Sequence, residues 1–313
     1  MGKNAWKGHA AMFSANLMWG LMSPLAKVVM VSGAVTPLVL NDLRIFGAMA
    51  LFWIVSWFRP REHVAPKDLA KLFGASLLAI VFNQGCFIFG VGLTSPSDAS
   101  IITTSMPLWA MVLAAFFLKE PITGKKISGI AAGACGALLL ILSGGKAAAG
   151  SQAESSVWGD VLVLTAQLSY ALYIVLFKNF VGRYSLVTIM KWMFTYAFIC
   201  VLPFSYRDLA QTPWMELDGS AIGAIAFIVV GATFFSYMLV VVGQKALRPT
   251  VAGMYNYIQP LVACVVAVWL GLDSFGPTKA LAAVLIFSGV YLVTASRSRA
   301  EMEARAQKPH AGK

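Results

Sequence analysis

The feature that most constrains this chain is a series of apolar runs, each long enough to cross a lipid bilayer. Ten of them fall at roughly 10–31, 37–58, 69–91, 96–118, 126–143, 158–178, 186–204, 220–242, 250–271 and 277–295. Each meets the length of about 18 residues that a spanning helix requires. Hydrocarbon offers no water to unpaired backbone groups, so each run must close its own hydrogen bonds as a helix. Of the 313 residues 59% are hydrophobic and only 12% charged, with a mean hydropathy of +0.76. A soluble domain carries about a quarter charged residues, so that class is excluded. The pattern predicts an all-α polytopic membrane protein with ten transmembrane helices.

A net charge of +11 would suggest nucleic acid in a soluble protein, but its distribution says otherwise. With the N-terminus cytoplasmic, the cytoplasmic segments collect Lys3, Lys7, Arg59, Arg61, Lys125, Lys126, Arg183, Lys245, Arg248 and the basic tail after Arg297. The opposite side holds only Lys146, Arg207 and Lys279. This asymmetry is an orientation signal. It puts both termini in the cytoplasm and leaves no nucleic-acid partner. The first run carries Asn16 and Lys27 and has no small-residue cleavage site, so it reads as a retained span rather than a signal peptide. Cys86, Cys135, Cys200 and Cys264 fall in four different runs without metal-ligand spacing and read as thiols buried in helix packing.

The stretch "SGGKAAAGSQAESS", residues 143–156, is small and polar between two apolar blocks. It predicts a first five-helix repeat at 1–145, a linker at 146–157, a second repeat at 158–297 and a tail at 298–313. Five spans is an odd number, so the halves cross in opposite directions and any similarity between them means an inverted repeat. A shift of 153 positions lays "TSPSDASIITTSMPLWAMVLAAFFLKE" on "LRPTVAGMYNYIQPLVACVVAVWLGLD" without a gap. Pro96 then falls on Pro249, Pro107 on Pro260, Glu120 on Asp273 and Gly136 on Gly289; a shift of 151 puts Asn16 on Gln167, Trp19 on Tyr170 and Lys27 on Lys178.

Ser95-Pro96-Ser97-Asp98 reads as a helix start, with serine at the cap and proline at the first position. Pro107 lies about 16 Å further along, near the middle of a core about 30 Å thick. Pro260 is equally far from Pro249. Each proline removes a hydrogen bond and displaces the carbonyl four residues earlier, here that of Thr103 or Asn256. Such groups are tolerated facing protein or a water-filled cavity. Ser100, Thr103, Thr104 and Pro107 share one helical face, as do Gly253, Asn256, Tyr257 and Pro260. The alternative is a kink used for packing, with the threonine hydroxyls bonded back to their own helix.

A central substrate site between the repeats would draw on Asn16, Trp19, Asn83, Gln84, Thr103, Thr104, Pro107, Gln167, Tyr170, Tyr237, Asn256, Tyr257 and Pro260. Singly, each could equally be an interhelical hydrogen bond, which contributes about 0.6 kcal/mol on average. Asp42, Arg44 and Lys191 are ionisable residues inside apolar runs and candidates for a gate or for coupling, with Asp42 the carboxylate that a coupled proton would use. Lys27 and Lys178 lie near span ends, where snorkelling to headgroups is expected. Glu120 and Asp273 end their spans and read as solvated or paired across the membrane faces. His9, His63 and His310 read as loop or terminal residues, which argues against a haem, a His-ligated metal or a histidine relay. No nucleotide-binding, metalloprotease or serine-hydrolase motif occurs, so neither enzyme chemistry nor a cofactor is expected. Gly129 and Gly133 form a GxxxG pattern that permits close helix contact, within the chain or in a homodimer.

The pattern resembles the drug/metabolite transporter superfamily, and within it EamA-type exporters. The residues that carry the likeness are "NLMWGLMSPLAK", "NDLRIF", "SPSDASIITTSMPLWAMVLAAFFLKEPIT", "GIAAGACGALLLI" and "ALRPTVAGMYNYIQPLVACVVAVWLGLD". The resemblance implies a permease of the bacterial inner (plasma) membrane that exports small metabolites by alternating access, with spans 1–4 and 6–9 around a central cavity. Trp19, Arg44, Pro107, Glu120 and Pro260 match family-typical places; the second half has "MKWMF" where the first has Arg44, so no symmetric role for Arg44 is implied. A cavity rich in Trp, Tyr, Asn, Gln and Thr suits neutral or zwitterionic amphipathic solutes, amino acids first. The alternatives are an exchanger of another class, such as nucleotide sugars, and a non-transporting scaffold.

Overall fold

A computed structural model describes residues 5–31, 33–119, 123–143, 156–177, 180, 182–247, 251–252 and 255–294. Glu120, Lys178, Pro249, Gly253, the 298–313 tail and the linker before Ser156 lie outside them. Every regular element among the described residues is helical. The helices are α1 (Ala5–Val31), α2 (Pro37–Trp57), α3 (Pro66–Leu93), α4 (Pro96–Phe117) and α5 (Gly124–Ser143). They continue as α6 (Val157–Leu176), α7 (Leu186–Gln211), α8 (Gly219–Ala246), α9 (Tyr255–Trp269) and α10 (Pro277–Thr294). Eight of these, all but α1 and α9, are long and apolar enough to cross a membrane. Of the other two, α9 is a shorter apolar helix, and α1 has 27 residues but a more polar sequence.

Local chemistry sets the helix starts. Thr36, Ser95, Ser185 and Asp218 cap α2, α4, α7 and α8, each accepting the backbone N–H three residues on. This satisfies donors that no helical carbonyl can reach. Proline occupies the first turn of α2, α3 and α4, where its missing N–H removes no bond. Irregular backbone sits inside the bundle. α3 and α8 each contain a π-helical segment, at Leu77–Phe82 and Phe227–Phe235. α4 breaks at Thr104–Ser105 just before Pro107, and α9 opens with a 3-10 turn at Tyr255–Tyr257 just before Pro260.

The helices pack in corresponding pairs. α1 lies on α8 and α9, whereas α6 lies on α3 and α4; α2 packs on α7 and α8, and α7 on α2 and α3; α4 meets α9, and α5 meets α10. Exchanging each helix with the one five places on maps this set onto itself. Glycine makes the crossings close. A Cβ on Gly90 of α3 would lie 2.8 Å from the Gly159 carbonyl of α6, while Gly243 of α8 abuts Met12 and Gly8 of α1. The GxxxG pattern also acts within the chain: α5 crosses α10 with Gly129 against Gly289 and Gly136 against Ala282. Trp57, Trp158 and Trp269 stand exposed near helix ends, as aromatic side chains do at a membrane interface.

Substituting Gly129 by Leu would bring a Cβ within 2.7 Å of the Gly289 carbonyl, while Gly124 has open space around it. Gly129→Leu is therefore expected to lower stability by about 1–3 kcal/mol and Gly124→Leu to leave it near wild type, read as thermal unfolding in detergent.

Candidate functional site

The bundle end where α5 stops and α6 begins is the linker end; the one where α1 begins is the terminal end. Between them, near mid-depth, Tyr237 of α8 is the hub of a polar and aromatic cluster. Its hydroxyl accepts from Gln84 Nε2 of α3 at 3.4 Å. Trp19 of α1 meets its ring edge-on at 6.0 Å, and Phe194 of α7 does so at 6.2 Å. The hydroxyls of Tyr170 and Tyr173 of α6 and the Arg44 guanidinium of α2 are all within electrostatic reach of it. The site thus draws on six helices.

Arg44 is the unusual member. It is 3% exposed, and its Nε donates to Thr233 Oγ1 at 3.3 Å. The π-helical turn of α8 presents that hydroxyl, which itself donates to the Ile228 carbonyl five residues earlier. Arg44 Nη1 has no hydrogen-bond partner, and none of the ion pairs among the described residues includes Arg44. A buried guanidinium without a carboxylate is a strong donor site for an anionic group.

Other expected site residues lie apart from this cluster. Asn16 donates to the Met12 carbonyl and accepts from Gln259 Nε2 at 2.7 Å, joining α1 to α9. Asn83 donates to the Ala166 carbonyl, and Gln167 is buried in α6. The Thr103 and Thr104 hydroxyls bond back to Ala99 and Ile101 carbonyls, which is the packing-kink alternative for those groups. Pro107 is half-buried and Pro260 buried at the two helix breaks. Asn256 is half-buried, and Tyr257 turns towards α10, packing on Phe287 at 5.1 Å. With Phe287, Ser288, Tyr291 and Leu292 it lines an open groove of ≈ 490 Å³ on the α9–α10 side. Asp42 is buried near the linker end beside Ser205 of α7, with Oδ1 unpartnered. Lys191 is far from it, bonded to Ser56 Oγ at 2.8 Å and lying 4.8 Å over the Trp53 ring near the terminal end.

Several expectations need correction. Lys27 does not snorkel: it is 7% exposed, and its ammonium donates to the Val91, Gly92 and Thr94 carbonyls at 3.2, 2.8 and 3.0 Å. It caps the negative end of α3, where three carbonyls hold the charge. Asp273 is not solvated. Gly271, at φ +68°, ends α9 in a turn that bonds Leu272 N–H to the Ala267 carbonyl. That turn delivers Asp273 to the Lys279 ammonium of α10 at 2.6 Å, and Asp98 of α4 stands 3.3 Å from the same nitrogen. His9 is a helical residue of α1 whose Nδ1 lies 2.6 Å from the Tyr255 hydroxyl. Cys135 is exposed, and the other three cysteines are half-buried.

Sequence reasoning also missed members of this linker-end group. Thr94 donates to Asp160 Oδ1 of α6 at 2.6 Å, and Asp160 is fully buried. Asp98 and Asp160 look like ordinary first-turn acids in the sequence. The usable signal was topological: the fold puts Lys27, Asp98, Asp160, Asp273 and Lys279 at one end of the bundle.

Known proteins bear on this geometry. The profile of the EamA-like transporter family matches residues 6–142 and 157–295. The chain is 25% identical to the uncharacterized transporter YoaV of Bacillus subtilis, over 91% of this chain and 96% of that protein. It is 26% identical to a probable amino-acid metabolite efflux pump of Escherichia coli, over 88% of this chain and 91% of that one. A crystal structure at 18% identity superimposes with a TM-score of 0.61, covering 96% of this chain and 99% of the other, and shares the fold.

Lys27→Met leaves three carbonyls without their donor, at a cost of about 1–3 kcal/mol. A corresponding drop in thermal stability is expected; a snorkelling lysine would show none.

Proposed function

Since this chain belongs to the EamA-like transporter family within the drug/metabolite transporters, we propose that it exports small neutral or zwitterionic amphipathic metabolites, amino acids foremost, by alternating access. The observation that carries this reading is the Tyr237 cluster with its unpaired Arg44. Aromatic faces suit an apolar side chain, the amides and hydroxyls suit an ammonium or hydroxyl, and Arg44 suits one carboxylate. The Escherichia coli relative, a probable amino-acid metabolite efflux pump, points the same way. A nucleotide sugar, with two phosphates, calls for several cations, and Arg44 is the one cation at this cluster among the described residues. That makes an exchanger of phosphorylated sugars the weaker reading.

Ten spans, as inverted repeats at 1–145 and 158–297 with a linker between, form the proposed architecture. The corresponding helix pairs, the paired π-helical segments and the paired proline breaks support it. In that scheme α1 and α9 span with the other eight helices, and the linker end is external to a bacterial inner membrane, with both termini inside. The rocking of α1 and α6 against their partners would expose Tyr237 to one end and then the other. Catalysis has no place in this reading.

The test compares metabolites inside and outside cells producing the wild type with those in cells producing an Arg44→Gln, Tyr237→Ala double variant at equal membrane levels. The expected result is outward accumulation of a carboxylate-bearing amphipathic solute with the wild type, reduced at least tenfold by the variant. Equal release from both would remove the site from the centre of the function; release of phosphorylated sugars instead would favour the exchanger.

A further inference from the structure

The linker end holds five ionisable side chains packed between both halves of the bundle. Lys279 Nζ contacts Asp98 at 3.3 Å and Asp273 at 2.6 and 2.8 Å, and donates to Ser95 Oγ at 3.0 Å. One residue away, Thr94 links the Lys27 ammonium, through its carbonyl, to Asp160, through its hydroxyl. Lys27 is also within electrostatic reach of Asp273, and Asp160 of Asp98 and Lys279.

Among the described residues the charges do not balance. Two ammoniums face three carboxylates, and Asp160 is the one without a cation in hydrogen-bond contact. It has no exposed surface, one hydroxyl donor at Oδ1 and no partner at Oδ2. The positive end of α6 helps, because Asp160 lies in its first turn, but a helix terminus offsets only a small part of burying an unpaired charge. Other titratable groups near α6 are Asp98 of α4 and the more distant Cys86 of α3; Tyr170 and Tyr173 lie deeper on α6, and Lys125 and Lys126 of α5 lie at the opposite end. None supplies a neutralising contact.

The fold does not require a carboxylate at Asp160 either. The shifts that superpose the two halves place Thr94 on Leu247, Asp98 on Val251 and Asp160 on His9. The glycine crossings around them are alike at both ends, Gly90 with Gly159 and Gly8 with Gly243. The same packing is therefore built without a carboxylate at any of the three matching positions.

We propose that Asp160 is a proton-binding site. With the linker end closed, as here, the carboxyl is neutral and two ammoniums balance two carboxylates. When α3 and α4 part from α6, α9 and α10, water reaches Asp160, its O–H bond breaks, the electron pair stays on the carboxylate and the proton passes to water on the linker side. Closure reverses this and takes one proton up. The site stands on its own geometry; only its consequence, a proton moving with each transport cycle, rests on the transporter reading.

Infrared difference spectroscopy on purified full-length protein in liposomes, stepped in pH, reads the site without any solute. The wild type is expected to show a protonated-carboxyl C=O band at neutral pH that Asp160→Asn lacks and Asp42→Asn keeps. Thr94→Val and Asp160→Glu should each shift the band, readouts that need no Asn variant to fold. An identical band in wild type and Asp160→Asn, or no frequency shift in Thr94→Val and Asp160→Glu, overturns the proposal: Asp160 is then ionised or unlinked to Thr94. Failure of the metabolite-release experiment leaves this spectrum unchanged, and a missing band leaves export unaffected as a reading.

Discussion

Everything in this bundle depends on the rule that no backbone or side-chain polar group may be left facing hydrocarbon unsatisfied. Lipid cannot hydrogen-bond, so an unpaired amide there costs several kcal/mol. The rule forces helices on each apolar run and confines each irregularity to protein-covered places. The π-helical turns of α3 and α8 and the breaks in α4 and α9 all lie where other helices pack. There the departures acquire uses. The π turn of α8 frees the Thr233 hydroxyl for Arg44, and the close of α9 at Gly271 carries Asp273 back into the bundle.

Two polar centres result, and they differ in kind. The mid-depth centre around Tyr237 is aromatic, with one buried cation lacking an anion. In the proposed reading it suits a solute with one carboxylate and an apolar body. The linker-end centre is ionic and joins α1, α3, α4, α6 and α10 with the turn after α9. Helices from before and after the linker contribute to each. At the terminal end the position matching Asp160 is His9, whose Nδ1 lies 2.6 Å from the Tyr255 hydroxyl.

Much of the fold was legible in the sequence, because hydrophobic run length and proline position act locally. The cap at Ser95, the breaks before Pro107 and Pro260, and the family likeness could all be read from residues. Side-chain partners were harder. Thr103 and Asn83 are polar at depth, as expected, yet each is bonded to a backbone carbonyl. Lys27 read as a snorkelling span end and Asp273 as solvated or paired, and only the tertiary fold brings a helix terminus and a counter-charge to them. Phe194 and Tyr173 were invisible as site members, since an aromatic residue in an apolar run reads as core.

The central claim is that the Tyr237 cluster is reached from both faces of the membrane in turn. A variant with Cys86, Cys135, Cys200 and Cys264 replaced by serine or alanine and a single cysteine at Gln84 tests this with a membrane-impermeant thiol reagent. Gln84 is 3% exposed in this state, so labelling reports opening. The account predicts slow labelling when reagent is present on either side alone, with the rates changing in opposite senses as the pH on the linker side is raised. Labelling from one side only, or from neither, would contradict alternating access at this site.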